Sequence, residues 1–430
     1  MMSIPHAGRV LLAACLLAVS SAPALAQEAT FEPGAEQPPL LEMLALVPDV
    51  PEALTSTAYD PFLSYVDYRA VEDARPGAPT FESWADYAEA RAARDVDIRL
   101  WSVNSVRIRT GPDLFRFLDD SAETAEVVGF DLFDIDRALT FGRPPARGLI
   151  LQGRYDAPAI EEAYSARGYT AGQNNGVVLL QRGDGESGSD INVNAINLAN
   201  PFGGELGRLQ PLAVTAEYLL STPNDALFDD MVNSYVGYAQ SLYTRPELVA
   251  AAEAVSIGHG DLLQALFYDP ETGGTQTSDL HNVTARYGPL PAYSVAVVAD
   301  LQDGPDQIAL VALVYEREDK ARAAAAELTD RLGDFPNLTA RMREPAIAHE
   351  PNATLEAPNV YFSPGTGLYV ALASVRYLTP PNLIVNWATG EPVEGGIDAP
   401  GASFWPSGHL FRVWADNLET RTFTVLSITE

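Results

Sequence analysis

The chain has a single cysteine, Cys15, in 430 residues. Cys15 lies inside an N-terminal apolar run. Once that run is removed, nothing is left for disulfides, a thiolate nucleophile or a cysteine metal site. Stability must then come from burial, which an apolar content of 47% can supply. Lysine is equally scarce. Lys320 is the only one, and every other basic residue is arginine. It follows Glu316 by four positions in a helical pattern, the spacing of a surface ion pair. That argues against Schiff-base chemistry and leaves no lysine for a phosphate-binding loop. Positive charge is short overall, with 27 basic residues against 58 acidic and a net charge of −31. Such a field repels nucleic acid and anionic lipid. Long apolar runs are missing beyond the N-terminus, so no later segment reaches the roughly 18 residues that cross a bilayer as a helix.

What is present begins with residues 1–26, which read as an export signal. Arg9 supplies the positive region, Val10 to Val19 the apolar core, and Ala24-Leu25-Ala26 a small-x-small cleavage site before Gln27. Leu12-Ala13-Ala14-Cys15 also passes for a lipoprotein box, but Cys15 sits in the middle of the run, which favours cleavage at Ala26 and a periplasmic or secreted chain over a lipid anchor. Residues 27–38 form a polar, Pro-containing leader. The remainder divides into an N-terminal α+β lobe, 39–204, and a C-terminal α+β lobe, 205–430.

Periodicity assigns the elements. A short helix is expected at Leu40 to Val47. Tyr65 to Arg75 and Trp84 to Arg94 match at four of eleven positions, Asp, Tyr, Ala and Arg, and read as two helical stretches or as a paired aromatic-acidic motif that grips a partner. Asp97 to Thr110 alternates like a strand. Glu126 to Leu132 is a further strand, and Asp134 caps a helix over Ile135 to Phe141. Gly148 to Tyr155 is a strand, Asp156 a helix cap, Gly168 a left-handed stop, and Asn174-Asn175-Gly176 a hairpin turn into Gln181. Arg182 to Gly204 is a polar loop. Leu209 to Ser221 is a strand, Asp225 to Gln240 and Pro246 onward are helices, and Leu262 to Tyr268, Tyr293 to Asp300 and Gln307 to Tyr315 are strands. A helix over Glu316 to Leu332, a strand over Gly367 to Val375 and a turn-rich tail ending in a strand pair complete the chain. The order predicts an α+β fold: two lobes of mainly antiparallel sheet with helices on one face, suggesting duplicated ferredoxin-like units.

Gly153 to Asp156 (G-R-Y-D), the Arg167-Gly168-Tyr169 turn, Tyr218-Leu219-Leu220-Ser221, Ser241-Leu242 and the helix from Pro246 follow one another in an order that resembles exported bacterial α+β proteins of unknown function. The resemblance spans residues 125–270. It implies an extracytoplasmic α+β fold and brings no catalytic residues with it.

Few residues point to chemistry. His259, His281, His349 and His409 are separated by 22, 68 and 60 residues, so none pairs along a helix as in a zinc motif. No G-x-S-x-G elbow is present, and Phe202 to Gly207 misses dinucleotide-binding spacing. Asp131, Asp134 and Asp136 surround an expected helix start, where capping explains them. Asp184, Glu186 and Asp190, with Asn192, offer spaced oxygen side chains in a Gly/Ser loop, a candidate Ca²⁺ site that lacks the D-x-D-x-D-G order. The balance points to an exported non-enzymatic protein that binds a ligand or an envelope partner, with a carboxylate-dependent extracytoplasmic hydrolase as the alternative. A site is expected in the loop 182–204 or between the lobes.

Overall fold

In a computed structural model of the chain, the described residues are 37–428 apart from 56–59, 75–79, 94–97, 99–100, 102–106, 113, 115–116, 118–120, 183–186, 271–286, 336–346, 348–351, 379–383, 387–392, 394–401, 405–407 and 421. The chain enters through α1 (Pro39–Leu44), then β1 (Leu63–Asp67), α2 (Tyr68–Asp73), α3 (Trp84–Ala93) and α4 (Ser121–Val128). Next come β2 (Ile135–Phe141), β3 (Gly148–Gly153), α5 (Ala157–Ser165), and the hairpin β4 (Tyr169–Asn174) and β5 (Val177–Arg182). β6 (Leu212–Val214) and β7 (Tyr218–Ser221) precede α6 (Asp225–Tyr235), α7 (Pro246–Ser256) and β8 (Asp261–Tyr268). β9 (Ala296–Asp303), β10 (Asp306–Tyr315) and α8 (Glu318–Asp334) follow. The chain closes with β11 (Thr354–Leu355), β12 (Asn359–Ser363), β13 (Leu368–Tyr377), the pair β14 (Ile384–Asn386) and β15 (Ala402–Phe404), and α9 (His409–Glu419).

Thirteen of these strands form one sheet in the order β11-β13-β10-β9-β8-β1-β2-β3-β7-β6-β5-β4, with β12 also on β13. Its ladders are antiparallel, so the fold is α+β with a large antiparallel sheet. β5 and β6, which flank residue 204, are hydrogen-bonded neighbours. The sheet is continuous across the expected lobe boundary, and β6 and β7 of the C-terminal segment lie between β3 and β5 of the N-terminal one. A split β-α-β unit is present at β10-α8-β12, which encloses the single strand β13. The crossover β3-α5-β4 encloses three strands, so the two halves are not copies of one ferredoxin-like unit.

Helices cover both faces, where one was expected. On the first face, one core runs the length of the sheet. It joins Leu63 and Tyr65 of β1 to Ile308, Leu310 and Ala312 of β10, and is roofed by α1, α6 and α7. The opposite face carries two cores. Ala309, Val311 and Leu313 meet α8 and α9 in one half, while Val66, Ala138 and Leu151 meet α5 in the other. β10 is buried along almost its whole length for this reason, and reads as an unbroken apolar run.

Between those two cores the opposite face is polar. The backbone of residues 107–111 crosses the sheet there. Arg107 places its guanidinium on Asp300, with Nε and Nη2 donating at 2.8 and 2.7 Å, and Nη1 donates to Gln302 at 2.7 Å. Gln264 donates to the Arg107 carbonyl and accepts from the Arg109 N–H, both at 2.9 Å. The buried amides of the sheet thus satisfy a strand-like segment that has no ladder of its own.

Several expectations change. Most of 97–110 lies outside the described residues, but Ile98 and Trp101 are helical and 107–110 is not strand. The segment 126–132 is not strand either: α4 continues to Val128 and stops at Gly129, whose φ is 81°. A Cβ at Gly129 would meet the Ile160 Cα at 2.7 Å, so only glycine permits α4 to lie this close to α5. Ile135 to Phe141 is β2, not helix. Asp131 and Asp134 close a capping box on each other across the 3₁₀ turn Leu132–Asp134, so the cap is used one turn early and the chain leaves it extended. The strand expected over 209–221 is two, β6 and β7, folded at Thr215, whose Oγ1 accepts from the Tyr218 N–H at 2.8 Å. α9 was not anticipated. Its N-cap is Gly408 at φ 64°, with no side-chain cap, yet Leu410, Phe411, Trp414 and Leu418 bury one face. Of the tail tryptophans, Trp387 and Trp405 lie outside the described residues.

Candidate functional site

The short helix α2 stands between two hollows. Asp67, the last residue of β1, starts it by accepting from the Ala70 N–H at 2.9 Å. The same carboxylate accepts from Arg137 Nε at 2.5 Å and from the buried Tyr65 hydroxyl at 3.4 Å. Burial, then the Asp67 carboxylate, pushes the Tyr65 phenol well above its ordinary range. The Asp67–Arg137 pair thereby fixes α2 against β1 and β2.

On one side of α2 lies an aromatic hollow of about 40 Å³, lined by Tyr68, Arg69, Glu72, Trp101, Leu114, Leu132, Phe133 and Ile135. Trp101 and Phe133 belong to a ring cluster completed by Phe81 and Tyr87, with Trp101–Tyr87 centroids 5.1 Å apart and Trp101–Phe133 6.0 Å. Such edge and tilted contacts hold flat side chains rigidly. On the other side is a polar hollow of about 390 Å³, bordered by Tyr65, Asp67, Asp73, Arg137, Ser256 and Asp261 among others.

Arg69 lines both hollows. Its Nε donates to Asp136 at 2.7 Å, Nη1 to Glu72 at 3.3 Å and Nη2 to the Phe133 carbonyl at 3.0 Å. Glu72 is held by Arg69 and by the Trp101 indole, yet burial dominates and raises its pKa above the ordinary 4.5. The site can therefore offer an apolar wall, a forked cation and a carboxylate that is readily protonated.

The segments Tyr65–Arg75 and Trp84–Arg94 contribute to one neighbourhood: Tyr68, Arg69 and Glu72 line the aromatic hollow, and Tyr87 backs its rings. Trp101 and Phe133 were not anticipated there, since their contact joins residues far apart in sequence. Of the candidate Ca²⁺ ligands, Asp184 and Glu186 lie outside the described residues. Asp190 is exposed, and its carboxylate accepts from the Ser187 N–H at 3.3 Å. No group of three or more His, Cys, Asp or Glu able to hold a metal occurs among the described residues. The asparagines of the following loop cap their own backbone: Asn192, Asn197 and Asn200 accept from the N–H groups of Asn194, Ala199 and Phe202. His281 and His349 lie outside the described residues. His259 is half-buried, and burial lowers its pKa despite the nearby Glu356.

Among the described residues no helix is long and apolar enough to cross a membrane. No family model matches the chain, and no curated protein matches its sequence. Among solved structures, crystal forms III and I of TP0453 align over 79% and 80% of this chain and 94% and 93% of theirs, at 7% and 8% identity and a TM-score of 0.30. Crystal form IV of TP0453 aligns over 79% of this chain at 9% identity and a TM-score of 0.29, a likeness too small to carry any statement about activity.

Proposed function

We propose that this is an exported, non-enzymatic protein that binds a small amphiphilic molecule beside α2. The apolar body lies against Trp101, Leu132 and Phe133, and the polar end reaches Arg69. The observation that carries this reading is the position of Arg69, which borders the aromatic hollow and the polar hollow together. An apolar wall with a few placed polar groups is the common form of a small-molecule site. Export rests on the signal features of residues 1–26; a chain found only in the cytoplasm with residues 1–26 intact would remove that part.

The hydrolase alternative would need two facing carboxylates held several ångströms apart. Glu72 is the one carboxylate that borders the aromatic hollow among its described residues, and it is engaged by Arg69. Asp136 and Asp67, close by, are engaged by Arg69 and Arg137.

The test uses 1-anilinonaphthalene-8-sulfonate, which joins an aromatic body to an anion. It is expected to bind saturably at one site and to quench the Trp101 emission, with Trp101→Phe removing that part of the quench. Leu132→Trp fills the hollow without burying charge, and should weaken binding about tenfold or more, a loss of about 1.4 kcal/mol. Unchanged binding in Leu132→Trp, with the fold intact by circular dichroism, overturns the reading.

A further inference from the structure

The two edges of the sheet are built differently. One edge is β11 and β12, strands of two and five residues laid end to end on β13 and interrupted by Glu356-Ala357-Pro358. Short strands and a proline are the usual devices that stop another strand from pairing there. The other edge, β4, has none of them. Among the described residues its six residues, Tyr-Thr-Ala-Gly-Gln-Asn, are paired on one side only, by β5. Thr170, Ala171, Gly172 and Gln173 are all exposed, so both faces of the strand as well as its edge meet solvent.

The register fixes which backbone groups point outward. Asn174 faces Val177 across the two-residue turn Asn175-Gly176, whose φ values are 51° and 85°. The closing pair of such a hairpin exchanges both its hydrogen bonds. Alternation then turns Thr170, Gly172 and Asn174 toward β5, and leaves the N–H and C=O of Tyr169, Ala171 and Gln173 facing away.

This outward set is symmetric about Ala171. We propose that β4 pairs antiparallel with β4 of a second copy of this chain, on a two-fold axis at Ala171. Tyr169 then faces Gln173 of the second copy, Ala171 faces its counterpart, and each outward backbone group meets a partner. Charge argues for a second copy over another partner. Two copies, each with net charge −31, repel, so they can meet only where charge is absent. Gly168 to Gln181 contains no charged residue. A basic partner would gain nothing from this uncharged strip. Gly172 supports the same reading: among the described residues a Cβ there would meet only Leu179, at 4.0 Å, so none of them calls for glycine. Glycine inside a strand weakens it, and often marks the close approach of another backbone.

Sedimentation equilibrium of the purified chain tests this. A concentration-dependent monomer–dimer equilibrium is expected, tighter at physiological salt than at low salt, because screening reduces the repulsion between acidic copies. Ala171→Asp sets two carboxylates across the axis and should weaken the dimer about tenfold or more. Ala171→Pro removes one outward donor and none of the β4–β5 bonds, and should do the same. Asn359→Asp, on the opposite edge, should leave the dimer unchanged. Circular dichroism and melting confirm that each variant is folded. A monomer at every concentration and salt, or a dimer indifferent to both Ala171 substitutions, overturns the proposal.

Discussion

Arg107 and Arg331 have no exposed surface, and each solves a different local problem. Arg107 brings a cation to Asp300 in the seam between two apolar cores, where a lone carboxylate would be costly. Arg331, on α8, donates to the carbonyls of Val425, Ser427 and Gly288 and so ties down a tail that lacks a ladder. Glu72 is a third case, with a consequence that pH reveals. Burial raises its pKa above the ordinary 4.5, so the folded chain holds that proton more tightly than the unfolded chain. Stability therefore falls as the pH rises from 4.5 through the raised value, and stays lowered above it. Glu72→Gln mimics the protonated form and lacks this dependence. Its melting temperature relative to the parent chain should climb over that interval, then level off. A difference that stays flat from pH 4 to 7 contradicts the assignment.

Elements with a strong period or explicit turn chemistry were legible in the sequence. β8, β9, β10, α6, α7 and α8 lie where the pattern predicts, within a few residues at their ends. The hairpin at Asn175-Gly176 is present, and Gly168 has the left-handed φ that its position suggested. The misreadings share a cause: a local signal was read without knowing its partner. Asp134 looks like a helix cap, but its carboxylate answers Asp131. The tail was read as turns with a final strand pair, but after β14 and β15 the buried spacing of Leu410, Trp414 and Leu418 is helical and starts without a capping side chain. The site was the least legible part. Tyr68, Arg69 and Glu72 stood in a noticed segment, but the aromatic wall is assembled from Trp101, Leu132 and Phe133, which the topology alone brings together. The loop 182–204, one of two places where a site was expected, presents Ile191, Val193, Ile196 and Leu198 to solvent among its described residues.

At the scale of the molecule, the sheet makes the two halves interdependent. β3 pairs with β2 on one side and with β7 on the other, and β1 pairs with β8. A chain cut at residue 204 loses β6, β7 and β8, and with them a hydrogen-bonded neighbour of β1, β3 and β5. It also loses α6 and α7, which roof the first face. The fragment 39–204 should therefore remain unfolded or become protease-sensitive, while the whole chain melts as a cooperative unit. Far-ultraviolet circular dichroism and limited trypsin digestion would decide this. A fragment with a protected core and a sharp melt would show that the halves fold separately.

The broken edge at β11 and β12 limits what association can produce. Growth by strand addition needs two reactive ends on every molecule, as a bifunctional monomer is needed to make a polymer. Among the described residues the large sheet has one receptive end, β4, and one closed end, where Pro358 interrupts two short strands. That sheet behaves as a monofunctional unit: coupling at β4 uses up its receptive end, and the paired sheet is closed on both sides. A sheet of this length, which could otherwise seed fibres, stops at a pair.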